Sequence, residues 1–118
     1  MSEPLAVLVI EDEPLIAMMI EDFIDVLGHR LAGVVDSVAA ALPRVEEGDF
    51  DVAILDVHLV DGACWPVADA LAAAGKPFVI ATGGHVEPPP PAHAGARQLA
   101  KPFTMDRVRE VLEAVAAG

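Results

Sequence analysis

Asp51-Val52-Ala53-Ile54-Leu55-Asp56-Val57-His58 is the stretch on which the reading of this chain turns. Its run of Val, Ala, Ile and Leu has the length and β-branched content of a strand buried on both faces, and it closes on a carboxylate, Asp56. A buried parallel strand delivers its last residue to the carboxyl edge of the sheet, where open α/β sheets bind their ligands. Asp is also among the best helix-capping residues. This run alone therefore leaves Asp56 open as a ligand-edge carboxylate or as an N-cap.

Similar runs lie on either side. Leu5 to Ile10 is continuously apolar and leads into Glu11-Asp12-Glu13 and Pro14. Acidic residues ahead of a Pro at a first helical position mark a helix start, with the acids expected to cap its free amides. Ile16, Ile20, Phe23, Ile24 and Leu27 then recur at helical spacing until Gly28 stops the helix. Arg30 to Asp36 reads as a short strand, and Ser37 caps a helix carrying Val38, Ala41, Leu42 and Val45. Pro43 is expected to shift or kink that helix.

Beyond Asp56, Asp61-Gly62 marks a turn and Cys64 to Ala74 an Ala-rich helix, with Pro66 in its first turn and Gly75 at its end. Phe78 to Thr82 is a further buried strand, followed by a sharp turn at Gly83-Gly84. Pro88 to Pro91 cannot form an ordinary helix interior. Ala96 to Ala100 fits a fifth strand, ahead of Lys101-Pro102-Phe103, and Thr104 caps a last helix with Val108, Val111, Leu112 and Val115 on its buried stripe. Strand and helix alternate throughout, with connections suited to crossovers, so the expected fold is α/β with a five-stranded parallel sheet.

The 118 residues fit one domain able to bury its own core, and 54% apolar against 22% charged residues supports a compact fold. With 19 acidic and 7 basic residues the formal charge is −12, which repels phosphate backbones and anionic membranes. Direct nucleic-acid binding and membrane binding are not expected. Cys64 is the lone cysteine, Met1-Ser2-Glu3-Pro4 lacks the basic region of a signal peptide, and no apolar run approaches the roughly 20 residues of a membrane span. A cytoplasmic setting is the economical expectation.

In a parallel sheet Glu11, Asp12, Asp56, Thr82 and Lys101 all fall at one edge. Clustered carboxylates repel, and a divalent cation removes that penalty. Hard oxygen donors suit Mg²⁺, which keeps several waters and accepts a phosphate oxygen. An Asp beside it can act as a nucleophile towards a phosphoryl donor, a reaction that asks mainly for positioning and charge neutralisation. A lysine ammonium and a threonine hydroxyl are of the types that hold the transferred oxygens.

Val9-Ile10-Glu11-Asp12-Glu13-Pro14, Ile54-Leu55-Asp56, Asp61-Gly62, Ala81-Thr82-Gly83 and Lys101-Pro102-Phe103, in this order at these strand ends, resemble the receiver domain of two-component response regulators over essentially the whole chain, residues 1–118. The resemblance implies a doubly wound, flavodoxin-like sheet of order 2-1-3-4-5. It implies Asp56 as phosphoacceptor, Asp12 and the His58 backbone carbonyl as Mg²⁺ ligands, and Glu11 acting through a metal-bound water. Thr82 would bind a phosphoryl oxygen, and Lys101 would bridge the acids and the phosphate. The implied partners are a histidine kinase or histidine phosphotransferase and a downstream regulatory protein, so the chain is expected to be a phosphoacceptor signalling protein rather than an enzyme.

Two features depart from the family. Receivers carry Tyr or Phe three residues before the Lys, where this chain has Gln98, and the fourth helix must cross the prolines, so it is expected to be short, distorted or absent. Lys76 to Gly84 resembles an atypical, often single-domain subgroup named for a Phe-Ala-Thr-Gly stretch, with Ile80 in place of that Phe. His58 could tune phosphate lifetime or be a plain exposed loop residue. Trp65 and Cys64 read as helix packing, and His29, His85 and His93 as surface or loop residues. The competing functions are a phosphorylation-independent docking module and, less well supported, a small-molecule aspartyl-phosphate hydrolase. Such hydrolases commonly place a second Asp where His58 stands.

Overall fold

The computed structural model describes residues 4–82, 90–93, 95–100 and 103–117. Strand β1 (Ala6–Ile10) leads to helix α1 (Pro14–Val26), β2 (Arg30–Val35) to α2 (Val38–Glu47), and β3 (Val52–Asp56) to a small hairpin of β4 (His58–Leu59) and β5 (Gly62–Ala63). Helix α3 (Trp65–Ala73), β6 (Phe78–Thr82), a 3-10 turn (Pro91–His93), β7 (Arg97–Ala100) and α4 (Met105–Ala117) complete the chain. The sheet order is β2-β1-β3-β6-β7, all parallel. Leaving the two hairpin strands out of the count, this is the expected 2-1-3-4-5.

The central strands β1 and β3 are buried throughout because both of their faces are covered. Val7, Val9, Val52, Ile54, Val79 and Ala81 pack with Ile20 and Ile24 of α1 and Val108 and Leu112 of α4. The alternate residues Leu8, Ile10, Ala53, Leu55 and Ile80 pack with Ala41 and Val45 of α2 and Val67, Ala68 and Leu71 of α3. Two helices therefore cover each face, and the central strands β1 and β3 are buried along their whole length, while the edge strands β2 and β7 carry exposed residues.

Local expectations fare unevenly. Gly28, Gly48 and Gly75 close α1, α2 and α3 with positive φ, as the stop signals suggest. Ser37 Oγ accepts from Ala40 N at 3.0 Å and Thr104 Oγ1 from Arg107 N at 3.2 Å, so both hydroxyl caps form. Helix α2 runs unbroken over Pro43. Its Leu42 is exposed, turned away from the stripe formed by Ala41 and Val45. Glu13 occupies the α1 N-cap position without a side-chain cap bond; instead its own amide donates to Glu11 Oε2 at 3.2 Å. It is thus the Glu11 side chain, reaching forward two residues, that meets an amide at this helix start.

Where a fourth crossover helix would stand, the described residues hold only the turn Pro91–His93, with Pro90 O accepting from His93 N at 2.8 Å. His93 is not a surface residue. It is 5% exposed, stacked on Trp65 at 6.0 Å and 11°, and edge-on to Phe78 at 5.8 Å. Its Nε2 meets Asp69 Oδ1 at 2.7 Å. Trp65 and Asp69 lie four residues apart on one face of α3 and so receive the ring together. His29, half-buried, accepts from Leu5 N through Nδ1 at 3.0 Å. His85 lies outside the described residues, as does the Gly83-Gly84 turn.

On this packing, His93→Ala is expected to red-shift the emission of Trp65, the sole tryptophan, and to lower stability in urea by about 1–3 kcal/mol, through the lost stack and hydrogen bond. Unchanged emission would contradict the stacking.

Candidate acidic pocket

The carboxyl edge of the sheet collects the acids. Glu11 follows β1, and its amide donates to Val35 O at 2.9 Å, which extends the β1–β2 ladder past the strand end. Asp56 is the last residue of β3 and pairs with Ala81 of β6. Glu11 is 3% and Asp56 8% exposed, with Asp12 half-buried beside them. One carboxylate oxygen from each of the three lies within 4.8 Å of the others. A cleft of about 380 Å³ opens beside Glu11 and Asp12 between α1 and the start of α2, bounded also by Pro14, Ala17, Asp36 and Ala40.

The donor set suits a small hard cation. Ligands of Mg²⁺ at about 2.1 Å stand roughly 3 Å apart when adjacent and roughly 4.2 Å when opposite. The acidic oxygens, within 4.8 Å of one another, are gathered close to that spacing. Three carboxylates supply the oxygen chemistry this ion prefers.

The other residues singled out in the sequence are placed as follows. Thr82 ends β6 opposite Ala100, at the same edge as Asp56. Lys101 lies outside the described residues. His58 is exposed and pairs with Ala63 in the hairpin. Gln98 lies exposed on β7, paired with Ile80. Trp65 and Cys64 do pack, Trp65 against the core on the α2–α3 side and Cys64 within it.

One feature escaped the sequence reading. Asp61, read there as part of a turn and of a motif carrying the resemblance, accepts from Val38 N at 2.7 Å and from Ala39 N at 3.0 Å, the first amides of α2. These amides hold its carboxyl below its ordinary value of 3.8. The cap is thus complete above the ordinary carboxylate range and is lost only as pH falls through the lowered value. Nothing local in the sequence announces a contact that spans 23 residues.

A family model described as the response regulator receiver domain matches residues 7–113. The chain belongs to that family. Among solved structures, the receiver resembles SdrG from Sphingomonas melonis Fr1, at 52% identity over 98% of each chain with a TM-score of 0.85. It also resembles the BeF3-activated conformation of SdrG from Pseudomonas melonis Fr1, at 51% identity over 94% of this chain and 95% of that one, TM-score 0.80. The receiver domain of the Erythrobacter litoralis PhyR response regulator is 30% identical over 95% of this chain and 89% of that one, TM-score 0.74. A search of curated proteins returned no match. No helix among the described residues is long and apolar enough to cross a membrane.

Cys64 tests how closed the receiver's pocket wall is. Burial, and then the neighbouring Asp56 charge, push its thiol up to about 12. The folded protein is therefore expected to resist alkylation at pH 8 and to take one adduct in urea, read by intact mass. Rapid labelling of the native chain would contradict this packing.

Proposed function

We propose that this receiver accepts a phosphoryl group on Asp56 from a phosphohistidine of a histidine kinase or histidine phosphotransferase, in a Mg²⁺-dependent reaction, and signals to a downstream regulatory protein. The observation that carries the reading is the gathering of Glu11, Asp12 and Asp56 at the carboxyl edge. An Asp56 carboxylate oxygen attacks phosphorus, the P–N bond to the donor imidazole breaks, and the ring keeps the electron pair and takes a proton. Asp12, Asp56 and the His58 carbonyl would hold the cation, with Glu11 acting through a water, and the cation would supply charge neutralisation for the transferred group.

Thr82 and Lys101 hold the remaining oxygens in this reading, with His58 and Gln98 as modulating positions. The domain spans 1–118, acts in the cytoplasm as a stand-alone regulator without touching nucleic acid or membrane, and is a signalling protein rather than a turnover enzyme. Switching requires that the phosphoryl group favour one of two conformations, since equal affinity for both shifts nothing.

The docking-module reading has its own support. Gln98 is exposed where the family carries its aromatic, and His93 pins the 3-10 turn to α3. It is the better account if partner affinity is the same before and after phosphorylation.

Incubation with acetyl phosphate and Mg²⁺ is expected to add the mass of one phosphoryl group to the native chain and none to Asp56→Asn or to the Mg²⁺-free sample. An equal gain in Asp56→Asn would overturn the assignment.

A further inference from the structure

The chain leaving Asp56 does not run straight into α3. It folds into the β4–β5 hairpin, with His58 paired to Ala63 and Leu59 to Gly62, and returns so that Cys64 N donates to Val57 O at 2.8 Å. At the hairpin turn the side chain of Asp61 bonds both Val38 N and Ala39 N. Its neighbour Val60 donates through its amide to Asp36 O at 3.4 Å. The hairpin is thus joined by two bonds to the start of α2 and by a third to Asp36 just before its cap.

Helix α2 already has a cap of its own. Ser37 takes the next two amides, through Oγ from Ala40 N and through its carbonyl from Ala41 N, each at 3.0 Å. A good N-cap satisfies what a helix start needs most. What Asp61 adds is a tie between that helix and a loop more than 20 residues away. Its bonds are charge-assisted and lie along the favourable end of the helix dipole.

The tie also closes a circuit round the acidic pocket. Glu11 is bonded through its amide to Val35, Val35 runs through Asp36 and Ser37 into α2, α2 is held by Asp61, and Asp61 belongs to the loop that starts at Asp56 and carries His58. Removing the Asp61 side chain breaks two of the three bonds at that corner without removing any carboxylate of the pocket.

We propose that Asp61 is a positioning residue of the acidic pocket, fixing the β4–β5 hairpin against α2 so that the backbone after Asp56, His58 included, is held in the conformation that binds a divalent cation. This rests on the Mg²⁺ reading of the pocket given above. Residues that orient a metal site from outside its ligand set commonly cost about 10-fold or more in metal affinity when lost. Asp61→Asn keeps one acceptor oxygen and turns an NH2 towards the other amide, so it should fall between the native residue and Ala.

The test is a Mg²⁺ titration at neutral pH, without phosphoryl donor, followed by calorimetry and by the emission of Trp65, which directly follows the loop. Native protein, Asp61→Ala, Asp61→Asn, Ser37→Ala and Asp56→Asn are compared, with circular dichroism to confirm folding. Asp61→Ala is expected to bind Mg²⁺ about 10-fold more weakly, Asp61→Asn less so, and Ser37→Ala like the native chain despite a lower melting temperature. Should Asp61→Ala not fold, Asp61→Asn decides. Native affinity in the Asp61 variants, or an equal loss in Ser37→Ala, would overturn the proposal, because Asp61 would then be no more than a helix cap. Absence of Mg²⁺ binding by the native protein, or full binding by Asp56→Asn, would instead remove the metal reading on which it stands.

Discussion

Ile10 pairs with Leu55 across the β1–β3 ladder, and the acidic pocket depends on that register. The residues that follow each partner are Glu11 and Asp56, so the pairing sets the two carboxylates side by side before any side chain adjusts. Little freedom exists to change it. Slipping one strand by a single residue would send its whole inward set to the opposite face, and both faces of β1 and β3 are buried to 2% exposure or less from Val7 to Ile10 and from Val52 to Leu55. The two apolar layers thus act at a distance on the chemistry: they hold the strands so firmly that repelling acids stay together at the edge. A parallel sheet has no other means of assembling one pocket from residues 45 positions apart in sequence.

Beside that pocket the segment 57–64 is restrained rather than free. The segment after Asp56 is folded into a hairpin, bonded across to the start of α2 and ended by buried Cys64. Trp65 comes next and carries the stacked ring of His93, which in turn touches Phe78 at the start of β6. Packing is therefore continuous from the loop beside Asp56 to the 3-10 turn Pro91–His93. The family's aromatic position on the last strand holds exposed Gln98, and the aromatic contact of this chain is made elsewhere, between α3 and that turn.

How much of this could be read from the chain follows from the range of the forces involved. Strands buried on both faces leave uninterrupted apolar runs, so β1, β3 and β6 were legible, as was the carboxylate that ends each of the first two. Capping is local chemistry, and Ser37, Thr104 and the helix-closing glycines announced themselves. Helical periodicity did less well at Leu42, because the stripe of α2 is narrow and filled by small residues. Strand order came only from resemblance to a family, since alternation alone permits several orders. Asp61 and His93 were illegible for a common reason: each makes its decisive contacts across 20 residues or more, between a loop and a helix. A turn-forming Asp-Gly and a histidine beside prolines look the same whether or not such a contact exists.

The most direct measurement of the central assignment is chemical. An acyl phosphate on aspartate is reduced by borohydride to homoserine, while a free carboxylate is not, so peptide mapping after phosphorylation, reduction and digestion identifies the acceptor by residue. Homoserine at position 56, with no reduced residue at Glu11, Asp12 or Asp61, is the expected result. Unreduced Asp56 in a chain that has gained a phosphoryl group would contradict it.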